Sequence, residues 1–199
     1  MSGEVEPRTY RGTVEYDGTD YAGFQLQPNR RTIQGELERA LQRLTGGQVR
    51  VHGAGRTDAG VHAKGQVVSF QAGWRHPLAT LQRAMNAILP HDVAIRDLAE
   101  AEATFHARYS ATRRLYVYQV YHCAVRSPLL DRFAHYAPGA LDVTAMNAAA
   151  RCLCGRRDFA AFGQPTVGDV TLRQVFRAEW SVDGAEARQT PPEGPRRYR

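Results

Sequence analysis

Hydrophobic positions in the first half of the chain follow the spacing of strands in some segments and of helices in others. Residues 9–16 alternate apolar and polar side chains, which predicts a strand with one buried face. Residues 33–44 carry apolar side chains three or four positions apart, which predicts a helix. Thr32 is suited to cap the start of this helix, and Gly46 to end it.

The rest of the first half completes a recognisable order of elements. It contains predicted strands at 49–53 and 66–70, a helix opened by Pro77 and closed by Pro90, and a strand from Val93 to Asp97. The order is then β-α-β-β-α-β, the split βαβ plan of ferredoxin-like folds and of RNA-recognition domains. This plan places the helices on one face of an antiparallel sheet and leaves the other face for a partner or a second sheet.

The second half begins the same order and does not finish it. The predicted elements are a strand at Leu115–His122, a helix capped by Asp142 and stopped by Gly155, and a long strand at Thr171–Val182. The fold class is therefore α+β, with two ferredoxin-like (RRM-like) halves built on antiparallel sheets. By the plan of the first half, at least one strand and one helix of the second are absent.

The same pattern predicts how the chain is divided. The predicted parts are a flexible N-terminus at 1–8, an N-terminal half at 9–104, an incomplete C-terminal half at 105–187, and a disordered basic tail at 188–199. The tail holds three prolines and four arginines, which argue against a core strand or helix there.

Composition narrows the class of protein. The chain is 43% hydrophobic and 23% charged, an ordinary balance for a soluble globular protein. It has no uncharged apolar run of about 18 residues, so we expect no membrane span. The first residues lack the apolar core of a secretion signal, and three cysteines do not make a disulfide scaffold. We therefore expect a cytoplasmic location.

The charge balance favours a polyanionic partner. The chain has 26 Lys and Arg against 20 Asp and Glu, a formal charge of +6, and its pI is about 9.5. Each cation taken alone is better explained as a solvated surface charge than as a phosphate ligand. The candidate contacts are Arg30-Arg31, Arg50, Lys64, Arg113-Arg114 and Arg156-Arg157.

The segment that best combines residues able to take part in catalysis is a glycine-flanked loop with the sequence GRTDAGVHA at residues 55–63. In an extended stretch, Arg56 and Asp58 point the same way, and a nearby arginine favours the ionised form of an aspartate. An ionised carboxylate in a cleft can act as base, nucleophile or metal ligand. The alternative is an ordinary surface ion pair that stabilises the loop.

This string matches the signature loop of the A-type tRNA pseudouridine synthases, and so many specified positions make it a strong motif. Other segments resemble the same family in the same order. They are VEYDGTDYAGFQLQ (14–27), TIQGELERAL (32–41), MNAILP (85–90), FHARYSATRRLYVY (105–118) and CGRRDFAAF (154–162). The resemblance therefore runs from residue 9 to about residue 182.

The resemblance implies roles for five residues. Asp58 falls on the catalytic nucleophile, and Arg56 on the arginine that guides the target nucleotide or fills the space it leaves. Tyr116 falls on the tyrosine that stacks on the target base, although a core aromatic is the plainer alternative. Thr57 and His62 are placed with the substrate-binding residues of the loop, and His62 could equally hydrogen-bond within the loop.

The resemblance also implies an activity and partners. The family isomerises uridine to pseudouridine in the anticodon stem-loop of tRNAs, at nucleotide positions 38 to 40. It acts as a homodimer and needs neither a cofactor nor a metal. The family's later His-Met-Val-Arg segment has no counterpart in this sequence, so we expect a C-terminally truncated member that lacks the basic partner of its nucleophile.

Two other functions stay open at this point. One is a catalytically impaired RNA-binding remnant, which keeps Asp58 without its basic partner. The other is a hydrolase in which Asp58 and Asp17 hold a metal. Asp17 also lies in a DGTDYAG turn, where aspartate is favoured for turn geometry alone.

Overall fold

The structure is a computed structural model that describes residues 5–162, 171–182 and 196–199. It divides into two compact units, residues 1–114 and 115–199. The division lies after Arg114 and not after residue 104, because the intervening segment packs on the first unit. Its Ala107 N–H donates to Ser69 Oγ at 3.0 Å, and its Arg114 Nε donates to the Ala54 carbonyl at 3.1 Å.

The first unit has six elements in the predicted order. They are β1 (Arg8–Tyr16), α1 (Ile33–Thr45), β2 (Val51–Gly53), β3 (Ala63–Ala72), α2 (Leu78–Ile88) and β4 (Val93–Glu100). The strands form one sheet in the order β2-β3-β1-β4, with every neighbouring pair antiparallel. β1 already begins at Arg8, inside the segment predicted to be flexible, and Arg8 pairs with Glu100 at 2.9 Å.

The helix ends follow the sequence signals. The Thr32 hydroxyl accepts a hydrogen bond from the Gly35 N–H at 3.3 Å, which satisfies one of the free amides at the start of α1. At the other end, the Gly46 N–H donates to the Gln42 carbonyl at 2.9 Å. α2 begins directly after Pro77. None of the helices in the described parts is both long enough and apolar enough to cross a bilayer.

The core of the first unit lies between the two helices and one face of the sheet. Fully buried side chains come from every element; among them are Ile33, Leu37, Leu41, Leu81, Met85, Val14, Val51, Val68, Phe70 and Ile95. Burying an aliphatic side chain of this size stabilises the fold by about 1.5–3 kcal/mol relative to exposing it. This layer fixes the strands that carry the site.

The other face of the sheet is partly covered by the chain that follows β4. The Ala101 N–H donates to the Thr9 carbonyl at 2.9 Å. Between this segment and the sheet lies an open cleft of about 860 Å³, with Arg11, Val67 and Phe105 among its lining residues. The face predicted to be free is therefore only partly open within the first unit.

The second unit is built from short elements. They are β5 (Val120–His122), α3 (Pro128–Asp131), β6 (His135–Tyr136), α4 (Val143–Arg151), β7 (Gly155–Asp158), a 3-10 turn (Ala160–Phe162), β8 (Leu172–Val175) and β9 (Arg196–Tyr198). One sheet has the order β6-β5-β9 and the other pairs β7 with β8. The described sheets are otherwise antiparallel as predicted, but β5 and β6 run parallel.

Three predictions for the second unit need correction. The strands predicted at Leu115–His122 and Thr171–Val182 shrink to Val120–His122 and Leu172–Val175, and Val182 makes an isolated antiparallel bridge to Tyr198. The tail predicted to be disordered at 188–199 is wrong for its last part. Its residues 196–198 pair with β5, and Tyr198 is 3% exposed. Residues 188–195 lie outside the described residues.

Two contacts organise the second unit. The buried Tyr121 hydroxyl donates to the Asp131 carboxylate and accepts from the Ser127 N–H at 3.0 Å, which fixes α3 against β5. Asp142 caps α4 as predicted, accepting from the amides of Thr144 and Ala145 at 2.9 and 3.0 Å.

An asparagine on a helix satisfies the backbone of an extended segment in both units. Asn86 of α2 accepts from the Ile95 N–H at 2.8 Å and donates to the Ile95 carbonyl at 2.9 Å. Asn147 of α4 does the same for Trp180, at 2.8 and 3.0 Å. In the first unit this pairing occupies backbone groups of the edge strand β4.

We therefore expect Asn86→Ala to lower the free energy of unfolding by about 1–3 kcal/mol, because two backbone groups of the buried Ile95 lose their partners. Arg83→Ala, on the exposed side of the same helix, is the matched control and should change it by less than about 0.5 kcal/mol. Urea unfolding followed by circular dichroism measures both. Equal stability of the two variants would contradict the role of Asn86.

Candidate functional site

The GRTDAGVHA loop connects β2 to β3 and is closed by main-chain hydrogen bonds. At its start, the Ala54 N–H donates to the Val67 carbonyl at 2.8 Å. At its tip, the Val61 N–H donates to the Asp58 carbonyl at 3.2 Å, which makes a turn with Asp58 as its first residue. Gly60 is the third residue of that turn and has φ +79°, a conformation that glycine adopts without strain.

A second segment, between β1 and α1, binds this loop from the side. The Phe24 N–H donates to the Thr57 carbonyl at 2.9 Å, and the Gly60 N–H donates to the Tyr21 carbonyl at 3.3 Å. Gly23 has φ +100°, and a Cβ atom there would lie 2.6 Å from the Thr57 carbonyl oxygen. The close approach of the two backbones therefore requires glycine at position 23.

Side chains add two further attachments. The hydroxyls of Tyr16 and Thr57 lie 2.7 Å apart and share a hydrogen bond. Burial raises the pKa of the Tyr16 phenol, and the bond to Thr57 offsets part of that rise, so the phenol stays neutral. The Nδ1 atom of His62 lies 3.1 Å from the Gly18 nitrogen and 3.0 Å from Asp17 Oδ1. His62 thus contacts the turn after β1.

The Asp58 side chain itself is exposed at the tip of the loop. Among the described residues, no hydrogen bond or ion pair reaches its carboxylate, and Arg56 does not pair with it. The simple alternative of a loop stabilised by an Arg56–Asp58 ion pair is therefore wrong for this part of the chain. What remains is an accessible carboxylate on a backbone bound at both sides, which suits a nucleophile or a base.

Four of the five predicted site residues, Arg56, Thr57, Asp58 and His62, lie together on this loop. The fifth, Tyr116, belongs to the second unit, where its side chain is 71% exposed. It is not a core aromatic of that unit. The prediction that it lies on a strand with Tyr118 is wrong, because residues 115–118 have no ladder partner among the described residues.

Sequence reasoning missed a cluster that supports the site. The Tyr21 hydroxyl donates to Asp92, and the Arg31 guanidinium lies 4.3 Å from the centre of the Tyr21 ring. Arg31 also pairs with Asp92 and with Glu36, at 3.3 Å each. Burial, and then the bond to Asp92, raise the pKa of Tyr21 well above its ordinary value. The members of the cluster come from distant parts of the sequence, so no spacing of residues could reveal it.

Some of the predicted phosphate contacts already have partners within the protein. Besides Arg31, Arg114 donates to the Ala54 carbonyl and so closes the site loop. Arg50 pairs with Glu38 at 3.4 Å while remaining exposed. Arg157 donates to the Cys154 carbonyl at 2.9 Å.

A metal centre finds no support in the parts that the structure describes. Within residues 5–162, 171–182 and 196–199, no group of three or more His, Cys, Asp or Glu side chains could hold an ion. Asp17 Oδ1 accepts from the N–H and the hydroxyl of Thr19, at 3.1 and 2.6 Å. That is the turn geometry expected of aspartate in this position.

Comparison with known proteins identifies the family. A family model described as tRNA pseudouridine synthase matches residues 13–110. The chain is 43% identical over 167 residues to the tRNA pseudouridine synthase A of Caldicellulosiruptor bescii, a match that covers 83% of this chain and 68% of that protein. It is 44% identical over 178 residues to the tRNA pseudouridine synthase A of Geobacter sulfurreducens, which covers 89% of this chain and 73% of the relative.

A third relative, the tRNA pseudouridine synthase A of Roseiflexus castenholzii, is 47% identical over 165 residues, 83% of this chain and 61% of its own length. The chain thus spans between 61% and 73% of the length of these three relatives. Identity of this degree extends well beyond the site loop. The chain belongs to the tRNA pseudouridine synthase A family.

Proposed function

We propose that this chain carries the catalytic carboxylate of a tRNA pseudouridine synthase, with Asp58 as the nucleophile and the anticodon stem-loop of tRNA as substrate. One observation carries the proposal. Asp58 is exposed and free of protein partners among the described residues, yet the backbone on both sides of it is bound to the β1–α1 segment. A carboxylate so placed reaches a substrate without first breaking an ion pair.

The reaction is an isomerisation. The N1–C1′ bond of uridine breaks, the uracil turns, and C5 forms a new bond to C1′. The proton on C5 passes to solvent and N1 gains a proton, so atoms and electrons balance without an oxidant, a reductant or a group donor. The Asp58 carboxylate can act by bonding to C1′ or to C6, or by removing a ribose proton. Each route needs the same exposed oxygen.

The other site residues have proposed roles in handling the nucleotide. The target uridine must leave its stack, at a cost of a few kcal/mol. Tyr116 offers an exposed ring on which the extruded base can stack. Arg56 is exposed near Asp58, and its guanidinium can bind a phosphate of the target nucleotide or fill the space that the extruded base leaves. Thr57 and His62 position the loop through Tyr16 and the Asp17 turn.

We also make proposals about the origin of the fold, the oligomeric state and the cellular location. We propose that both units derive from ferredoxin-like halves; the strand order β2-β3-β1-β4 of the first unit supports this. We propose that the protein acts as a homodimer in the cytoplasm. Its tRNA substrate supports that location, and so do its three free cysteines.

A second candidate function is an RNA-binding protein without catalysis. The observation that favours it is the lack of any described cation paired with Asp58, since a basic partner would orient the carboxylate in the pocket. Activity separates the two candidates, because both bind RNA.

The first test replaces the carboxylate. We expect Asp58→Asn to reduce tritium release from a tRNA transcript labelled at C5 of uracil by about 10³-fold or more, the order seen when a nucleophile is removed. Affinity for the tRNA should change by less than about threefold, because the amide is isosteric. Glu6→Gln is the matched control: it removes an exposed carboxylate next to the other end of β3 and should keep full activity.

Release by Asp58→Asn at the wild-type rate would refute the nucleophile assignment. A wild-type chain that binds tRNA and releases no tritium would support the non-catalytic candidate instead.

The second test concerns the loop backbone. A methyl group at position 23 would lie 2.6 Å from the Thr57 carbonyl oxygen and would require a strained φ. We expect Gly23→Ala to destabilise the fold by about 1 kcal/mol or more, and to lower activity by about 10- to 100-fold through displacement of Asp58. Gly47→Ala, where no atom lies within 4 Å of the added carbon, should leave both unchanged. Calorimetry and tritium release provide the two measurements; full activity of Gly23→Ala would show that the loop position does not matter.

A further inference from the structure

Three aromatic rings form a ladder on the surface of the first unit, and the proposed catalytic step uses none of them. The rings of His52 and His106 lie 4.6 Å apart between centres, and those of His106 and Tyr109 lie 4.4 Å apart. Both pairs are tilted by 36°. The Tyr109 side chain is 78% exposed. A set of stacked rings this exposed contributes little to a core.

The backbone beneath the ladder is rigid. His52 lies on β2 opposite Ser69 of β3, and the Ser69 hydroxyl accepts from the Ala107 N–H at 3.0 Å. Ala107, between His106 and Tyr109 in sequence, is 2% exposed. The Ser110 N–H donates to the His106 carbonyl at 2.8 Å and closes the turn. The backbone that carries the rings is therefore held in place by the first unit itself.

The histidine in the middle has a fixed role in this turn. The Arg108 N–H donates to Nδ1 of His106 at 3.2 Å, so this nitrogen accepts and the neutral ring carries its proton on Nε2. Burial, then the neighbouring His106 and Arg50, lower the pKa of His52 below its ordinary value of 6.5, while Glu38 opposes the shift. A neutral His52 ring can stack on His106 without charge repulsion.

Two arginines flank the ladder. Arg108 lies with its guanidinium carbon 5.9 Å from the centre of the Tyr109 ring. Arg50 lies two residues before His52, directly ahead of β2, and is exposed although it pairs with Glu38. Aromatic faces beside cations form the combination that binds unpaired nucleotides, since the rings stack on bases and the cations meet phosphates. A protein partner would instead call for a larger apolar patch than three rings provide.

We propose that the ladder of His52, His106 and Tyr109 is a stacking platform for an unpaired base of the RNA substrate, with Arg108 and Arg50 binding the adjoining phosphates. The proposal rests on the proposed function only in taking tRNA as the natural source of that base. None of the three rings belongs to the Asp58 loop, and the platform binds without taking part in the chemistry. It would hold the RNA at a second point while the target uridine is turned out.

The test measures the affinity of the full chain for a fluorescent single-stranded RNA and for an unmodified anticodon stem-loop. We expect Tyr109→Ala to weaken binding of both by about 5- to 100-fold, the range for loss of one stacked base. Tyr109→Phe keeps the ring and should bind within about twofold of wild type. Thermal unfolding of both variants checks that the turn is intact.

Salt dependence separates stacking from charge. Arg108→Ala should reduce the slope of log affinity against log salt by about 1, the value for one phosphate contact. Tyr109→Ala should leave that slope unchanged. Arg83→Ala, an exposed arginine on α2, is the matched control for loss of one charge and should bind as wild type does.

The outcomes separate the two proposals. If Tyr109→Ala binds both RNAs as tightly as Tyr109→Phe, the platform is overturned even where tritium release is normal. If wild type releases no tritium but Tyr109→Ala still loses affinity, the platform stands and the enzymatic proposal fails.

The ladder also predicts a titration that needs no RNA. In the wild-type chain the His52 pKa should lie below 6.5, and in His106→Ala it should rise toward that value, because both burial and the neighbouring charge are reduced. NMR titration of the ring protons measures it. An unchanged pKa would mean that the two rings do not stack in solution.

Discussion

The hydrogen bond from the Phe24 N–H to the Thr57 carbonyl joins two backbones that approach so closely that Gly23 has no room for a side chain. Through this contact, the segment after β1 determines where the loop before β3 runs, and hence where Asp58 lies. Burial of Phe24 and Tyr21, each 3% exposed, excludes water from the contact and strengthens it. The Asp58 side chain can therefore remain exposed while the backbone on both sides of it is held by hydrogen bonds.

The strands β2 and β3 connect the two candidate functions of the first unit. The loop between them carries Asp58, and their paired residues His52 and Ser69 support the ring ladder. An RNA bound at the loop and at the ladder would contact one side chain that takes part in the reaction and several that only bind it. Such a division is physically reasonable, because stacking and phosphate contacts supply affinity, whereas the isomerisation needs one correctly placed oxygen.

Sequence periodicity predicted the first unit well and the second poorly, for a physical reason. α1 and β1 depend on the local spacing of apolar residues and on caps such as Thr32, so the sequence alone predicts them. The parallel pairing of β5 with β6 and the strand near Tyr198 depend on contacts between distant segments. The motif likewise revealed Asp58 and its neighbours, but not the Tyr21–Asp92–Arg31 cluster or the ladder, whose members share no sequence pattern.

The central claim is that the Asp58 loop is fixed from the side by the Phe24 backbone. Amide hydrogen exchange of the full chain, resolved by NMR, tests it directly. The Phe24 amide should exchange at least about 10³-fold more slowly than in an unstructured peptide, close to the amides of β1 that flank Val14. Exchange of the Phe24 amide at the unstructured rate, with the β1 amides still protected, would contradict the account.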